Sequence, residues 1–133
     1  MKGGIEMKTA VVTPGAPEAV GPYSQGVAAG GMIFVSGQLP IDPGTGEFAR
    51  GGIQAQAEQS IKNIAAVLSA EGCTLENVVK TTVFLTDMLN FTAVNEVYAR
   101  MFEGNGVFPA RSAVEVSALP KGAEIEIEAI AVK

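Results

Sequence analysis

The C-terminal run AEIEIEAIAVK (123–133) constrains the fold more than any other part of the chain. Side chains of an extended strand alternate between faces. Ile125, Ile127, Ala129 and Ala131 therefore share one face, and Glu124, Glu126 and Glu128 share the other. Three carboxylates on one strand face repel one another unless they are solvated, paired or protonated. The same face continues into Ile130 and Val132, so it is not wholly a solvent face. Two readings stay open. One is a solvated, negatively charged sheet face; the other is a Glu near the middle, partly buried with a raised pKa, suited to general acid–base work.

The segments before it supply partners for such a strand. MIFVSGQL (32–39) is apolar and β-rich, and the turn-rich DPGTGE (42–47) after it predicts a hairpin or tight loop. Residues 53–71 predict a helix, because Ile53, Ala57, Ile61, Ile64 and Leu68 line one face and Gly72 supplies a stop. VVKTTVFLT (78–86) alternates and is dense in β-branched residues, so it predicts a strand. A second helix is expected over 91–103, with Asn90 as N-cap, Gly104 as stop, and Phe91, Val94, Val97 or Tyr98, and Met101 as its apolar stripe. Residues 112–119 predict one more strand, joined to the last around Pro120, Lys121 and Gly122. This order implies an α+β sandwich, a mixed sheet with helices on one face. The other face then lacks a cover within the chain, and needs polar residues or another subunit.

At 133 residues the chain suits one domain, 1–133, with residues 1 to about 7 read as a leader without structural role. Apolar residues make up 47% and charged ones 17%, an apolar balance for a small monomer that again suggests surface buried against a partner. The sequence contains no His, which excludes Ser-His-Asp and Cys-His pairs, His-ligated metals and an imidazole base. Its single Cys, Cys73, excludes an intrachain disulfide and a Cys-rich metal cluster. With no basic neighbour, Cys73 reads as a structural, partly buried thiol rather than a nucleophile. A net charge of −5 and scattered Lys and Arg argue against a nucleic-acid partner. No apolar run is long enough to span a membrane and no signal-like stretch begins the chain, so a cytoplasmic location is expected.

Acids and bases must therefore come from Glu, Asp, Tyr, Lys, Cys, backbone dipoles or water. Arg111, in VFPARSAVEV, stands at the mouth of a strand behind Pro109. A guanidinium so placed can bind a carboxylate through two parallel hydrogen bonds, or it can simply pair with one of the many Glu residues. GPYSQG (21–26) and VSGQLP (35–40) lack the spacing of a phosphate loop. Their Tyr23, Ser36 and the Gly37 N–H can offer neutral donors to a small ligand, or serve only turn geometry.

Together GPYSQG, VSGQLP, VVKTTVFLTDM (78–88), VNEVYARMF (94–102), FPARSAVEV (108–116) and IEIEAIAV (125–132) resemble the RidA/YjgF family of imine deaminases, in matching order from about Thr13 onward. The resemblance implies a chorismate-mutase-like α+β fold and a homotrimer with pockets between subunits. It implies hydrolysis of 2-imino acids, such as 2-iminobutanoate and 2-iminopropanoate, to 2-keto acids and ammonia without metal or cofactor. On the matching positions it implies that Arg111 anchors the substrate carboxylate and Glu126 positions or activates the attacking water. Ser36, Gly37 and Asn95 would line the pocket, and Tyr23 would close it from the neighbouring chain. Many family members carry Cys two residues beyond the arginine, where this chain has Ala113; that thiol is expected to be dispensable. Two other functions compete: a sensor that binds 2-keto or amino acids without turnover, and a translation-inhibiting ribonuclease. The acidic charge and missing His count against the ribonuclease.

Overall fold

A computed structural model of the chain describes residues 7–133; the leader expected over residues 1 to about 7 falls almost wholly outside them. Two short strands come first, β1 (Thr9–Val11) and β2 (Gly26–Ala29), followed by β3 (Met32–Gln38). Helix α1 (Ile53–Ser69) leads to β4 (Val78–Leu85), and helix α2 (Phe91–Phe102) leads to β5 (Ala110–Glu115). The alternating run forms β6 (Ile125–Val132). The six strands lie in the order β1-β2-β3-β6-β4-β5, with β4 and β5 parallel and every other neighbour pair antiparallel. This is the expected α+β arrangement, a mixed sheet with two helices.

The apolar face of β6 builds the core. Ile125, Ile127 and Ala131 are fully buried and Ala129 nearly so, packed with Ile33 and Val35 of β3, Val83 and Leu85 of β4, and the α1 stripe. Within that stripe Ala57, Ile61, Ile64 and Leu68 are fully buried, each large side chain contributing about 1.5–3 kcal/mol. Gly72, at φ 74°, lets the chain turn back so that the Cys73 N–H reaches the Leu68 carbonyl at 3.0 Å. Cys73 is buried beneath this turn, in keeping with a structural thiol.

The face of the sheet away from the helices has no cover among the described residues. Phe34 stands opposite Ile130, and Phe84 stands between Glu126 and Val114. Phe34, Val114 and Val132 remain 41%, 40% and 42% exposed, on a face that also carries Glu126 and Glu128.

Two local expectations are corrected. Strand β5 starts at Ala110 and stops at Glu115, because its parallel partner β4 runs out at Leu85 and the Val116 N–H makes the last bond to it. The connection from β5 to β6 runs through Pro120–Gly122, as expected, and β4 lies between the two strands in the sheet. Asn90 has helical backbone angles and makes no capping bond, since a 3-10 turn (Met88–Asn90) precedes α2 and the Asp87 carboxylate caps that turn through the Leu89 N–H. No described helix is long and apolar enough to cross a membrane.

Gly26 marks the closest approach of β2 to α1. A Cβ there would meet Val67 Cγ1 at 2.8 Å and the Phe34 carbonyl at 3.1 Å. Gly26→Ala is accordingly expected to lower unfolding stability by about 1–3 kcal/mol, read by denaturant titration.

Candidate active site

Glu126 lies on the uncovered face of β6, opposite Phe84 and beside β3. The ladder between β3 and β6 shifts register between Val35 and Gln38, which brings Gly37 against the Glu126 side chain. A Cβ on Gly37 would lie 2.6 Å from Glu126 Oε2, so the carboxylate occupies space that only glycine leaves open. The carboxylate is half-buried and makes no hydrogen bond or ion pair with any described residue. Burial raises its pKa above the ordinary carboxylate value, and the negative charge of Glu128 on the same strand face adds to the rise. A carboxylate with free lone pairs and raised basicity is suited to take a proton from water.

Glu126 forms one wall of an open cleft that Tyr23, Ser36 and Gly37 also line. The Ser36 hydroxyl donates to the Ser24 carbonyl at 2.6 Å, and Tyr23 stands half-exposed at the lip. At about 1310 Å³ the cleft is larger than the roughly 300–1000 Å³ common for small-ligand pockets. A four-carbon acid would not fill it unless something else closed it.

Arg111 belongs to a different surface. It pairs across the ladder with Thr81 of β4, whose hydroxyl shares a 2.6 Å hydrogen bond with the buried Tyr98 phenol of α2. The guanidinium lies 4.7 Å from the Tyr98 ring centroid and 5.2 Å from that of Phe91, and its Nη1 donates to Asn95 Oδ1 at 2.8 Å. Burial raises the Tyr98 pKa, opposed by the Thr81 bond and the Arg111 charge. No described carboxylate lies within 4.0 Å of Arg111, whereas Arg100 pairs with Glu58 at 3.3 Å. The surface ion pair that its sequence context also allowed is absent among the described residues. Arg111 is instead held against two aromatic rings and the Asn95 amide.

The expected site is thus split in two. Thr81 and Phe84 are three residues apart on β4 and so face opposite ways; Arg111 follows Thr81 and Glu126 follows Phe84. Tyr23, Ser36, Gly37 and Glu126 gather in the cleft, while Arg111 and Asn95 gather on the helix side at the β5 edge. Ala113 points the same way as Arg111, beside Val83, and packs on the core. The aromatic seat was not anticipated as functional. Phe91, Asn95 and Tyr98 fall at i, i+4 and i+7 on one helix face, a spacing that could have revealed it.

The sequence model of the Endoribonuclease L-PSP family matches residues 13–133. A solved structure of a Rid-family protein from Yersinia pestis, YyfA, is 50% identical with a TM-score of 0.91, covering 95% of this chain and 99% of that one. The chain belongs to the RidA/YjgF family. Several of its relatives bear the name 2-iminobutanoate/2-iminopropanoate deaminase. The human protein is 47% identical over 96% of this chain and 91% of its own length, and the Salmonella typhimurium protein is 50% identical over 96% and 99%.

Two outcomes are expected of this RidA/YjgF cleft. Gly37→Ala should displace the Glu126 carboxylate and lower turnover while leaving the thermal midpoint nearly unchanged, because the clash falls on a mobile side-chain end. Glu126→Gln should raise the thermal midpoint at neutral pH. A carboxyl whose folded pKa is raised favours folding most below its unfolded pKa and loses that advantage as pH rises through the folded value, so the gain from Gln should vanish on acidification. Melting curves of both proteins across pH 4–8 provide the check.

Proposed function

We propose that this chain hydrolyses 2-imino acids, of the 2-iminobutanoate and 2-iminopropanoate class, to 2-keto acids and ammonia. The active site would form between copies of the chain. The observation that carries this reading is a pair of charges, Arg111 and Glu126, on opposite faces of one sheet and without an ion partner among the described residues. A small planar acid needs one of each, and neither is used up within the chain. The names of the relatives, at 47–50% identity, supply the substrate class.

In this reading Arg111 grips the substrate carboxylate through two parallel N–H donors, kept in plane by the Phe91 and Tyr98 rings and by Asn95. Glu126 of the adjoining copy holds a water against the imine carbon. As the water oxygen bonds to that carbon, the carboxylate accepts its proton and the C=N electron pair moves onto nitrogen. That proton passes to the nitrogen; the carboxylate then takes the hydroxyl proton of the tetrahedral adduct and hands it to the same nitrogen, so that the carbonyl closes as the C–N bond breaks and ammonia departs. An imine is already electrophilic, so positioning and one proton relay suffice without His. Ala113 leaves this route intact, since no step uses a thiol.

The assembly that fits is the homotrimer. Three sheets packed around an axis would cover Phe34, Phe84, Val114 and Val132, and would bring the lip at Tyr23 to the Arg111 edge of the next copy. The ribonuclease chemistry in the family model's description finds less support in the cleft, whose charged lining is Glu18, Glu126 and a single cation, Lys121.

Coupling a threonine dehydratase to this protein and following ammonia release against a trap for free imine tests the reading. Wild type should accelerate release, and Arg111→Ala should lose roughly a hundredfold or more in kcat/KM with the oligomer intact. No acceleration by wild type would refute the enzyme and favour a binding protein.

A further inference from the structure

We infer that Gln25 is a positioning residue of the cleft: its side chain holds segment 13–17, and its backbone holds residues 36–37, so that three separate stretches of the lining meet at one residue. This rests on the deaminase reading for its kinetic consequence, though not for its structural one. Gln25 immediately precedes β2 and is 4% exposed. Its Oε1 accepts from the Thr13 N–H at 2.7 Å. Its Nε2 donates to the carbonyls of Thr13 at 3.0 Å, Ala16 at 3.2 Å and Pro17 at 2.8 Å. The amide orientation is fixed by these partners, because a flipped oxygen would face three carbonyls.

The same residue is tied to the floor of the cleft by its backbone. Its carbonyl accepts from the Ser36 N–H at 3.0 Å, and the neighbouring Ser24 carbonyl accepts from the Ser36 hydroxyl at 2.6 Å. Segment 13–17, residues 23–25 and residues 36–37 all line the cleft, and Gln25 joins all three. The segment has few other means of holding its place. Pro14 and Pro17 lack an N–H, and the segment lies beyond the ladder that pairs β1 with β2. Only Ala16 is inserted into the core. Losing the amide would release the wall of the cleft before it disturbs the sheet.

Two substitutions separate positioning from mere stability. Gln25→Glu keeps the size and the acceptor for Thr13 but turns an oxygen toward three carbonyls. Gln25→Met keeps length and apolar packing and removes donor and acceptor together, and serves if the Glu variant fails to fold. In Gln25→Met, which removes the acceptor of the Thr13 N–H, hydrogen exchange should be faster at the Thr13 amide, with β4 and β6 protected as in wild type. Well below the melting temperature, KM for 2-iminobutanoate and Kd for 2-ketobutyrate should rise by about tenfold to a hundredfold, with kcat within about threefold of wild type. Unchanged KM and Kd in the folded variant, or loss of protection spread equally over β4 and β6, would overturn the assignment. If wild type fails to hydrolyse imine at all, the function falls, while the exchange pattern and 2-ketobutyrate binding still decide the role of Gln25.

Discussion

The pleat of β6 is the constraint on which the rest of the molecule depends. A strand in the middle of a sheet can give only alternate residues to the helices, and β6 gives Ile125, Ile127, Ala129 and Ala131. Glu126 must then stand on the opposite face, whatever it does there. On the far side of β4, the parallel register of β5 turns Arg111 toward α2. One rule of backbone geometry thus buries the core and parts the two charges. No side-chain rotation within the chain can reunite groups that leave a sheet from opposite faces.

The energetics of the two halves differ in kind. Arg111 stands at the surface with its freedom curtailed by two rings and an amide, so less order would have to be imposed were an anion to bind. Glu126 is loosely held and partly desolvated. Its basicity rises because burial and Glu128 disfavour the ionised form. The arrangement costs some folding stability and gains a better proton acceptor. Gly37 is what permits it, since any side chain there would occupy the place of the carboxylate.

Much of this was legible in the sequence. The alternation of 125–132, the stripe of α1 and the β-branched run of β4 each specify an element and its buried side. The two charged residues stood out by their settings, Arg111 behind a proline and Glu126 in the middle of an acidic strand face. The parallel pairing of β4 with β5 was not legible, because period-two patterns carry no direction. Hence the faces on which Arg111 and Glu126 fall were hidden as well, although the family resemblance implied pockets between subunits. The aromatic seat was overlooked because Phe91 and Tyr98 also satisfy the apolar stripe of α2, and Gln25 because one amide in a Gly-rich loop has no periodic signature.

In the proposed mechanism the few charged groups of a chain without His meet around one substrate, and with Arg111 and Glu126 on opposite faces of the sheet that meeting would take two copies. Mixing Arg111→Ala with Glu126→Gln tests the claim most directly. The two variants are unfolded together, refolded, and shown by native mass spectrometry to form mixed oligomers. Each alone should be inactive, and the mixed oligomers should recover imine hydrolysis at interfaces that unite an intact Arg111 with an intact Glu126. Mixed oligomers as inactive as either parent would contradict the account and place both groups on a single chain's site.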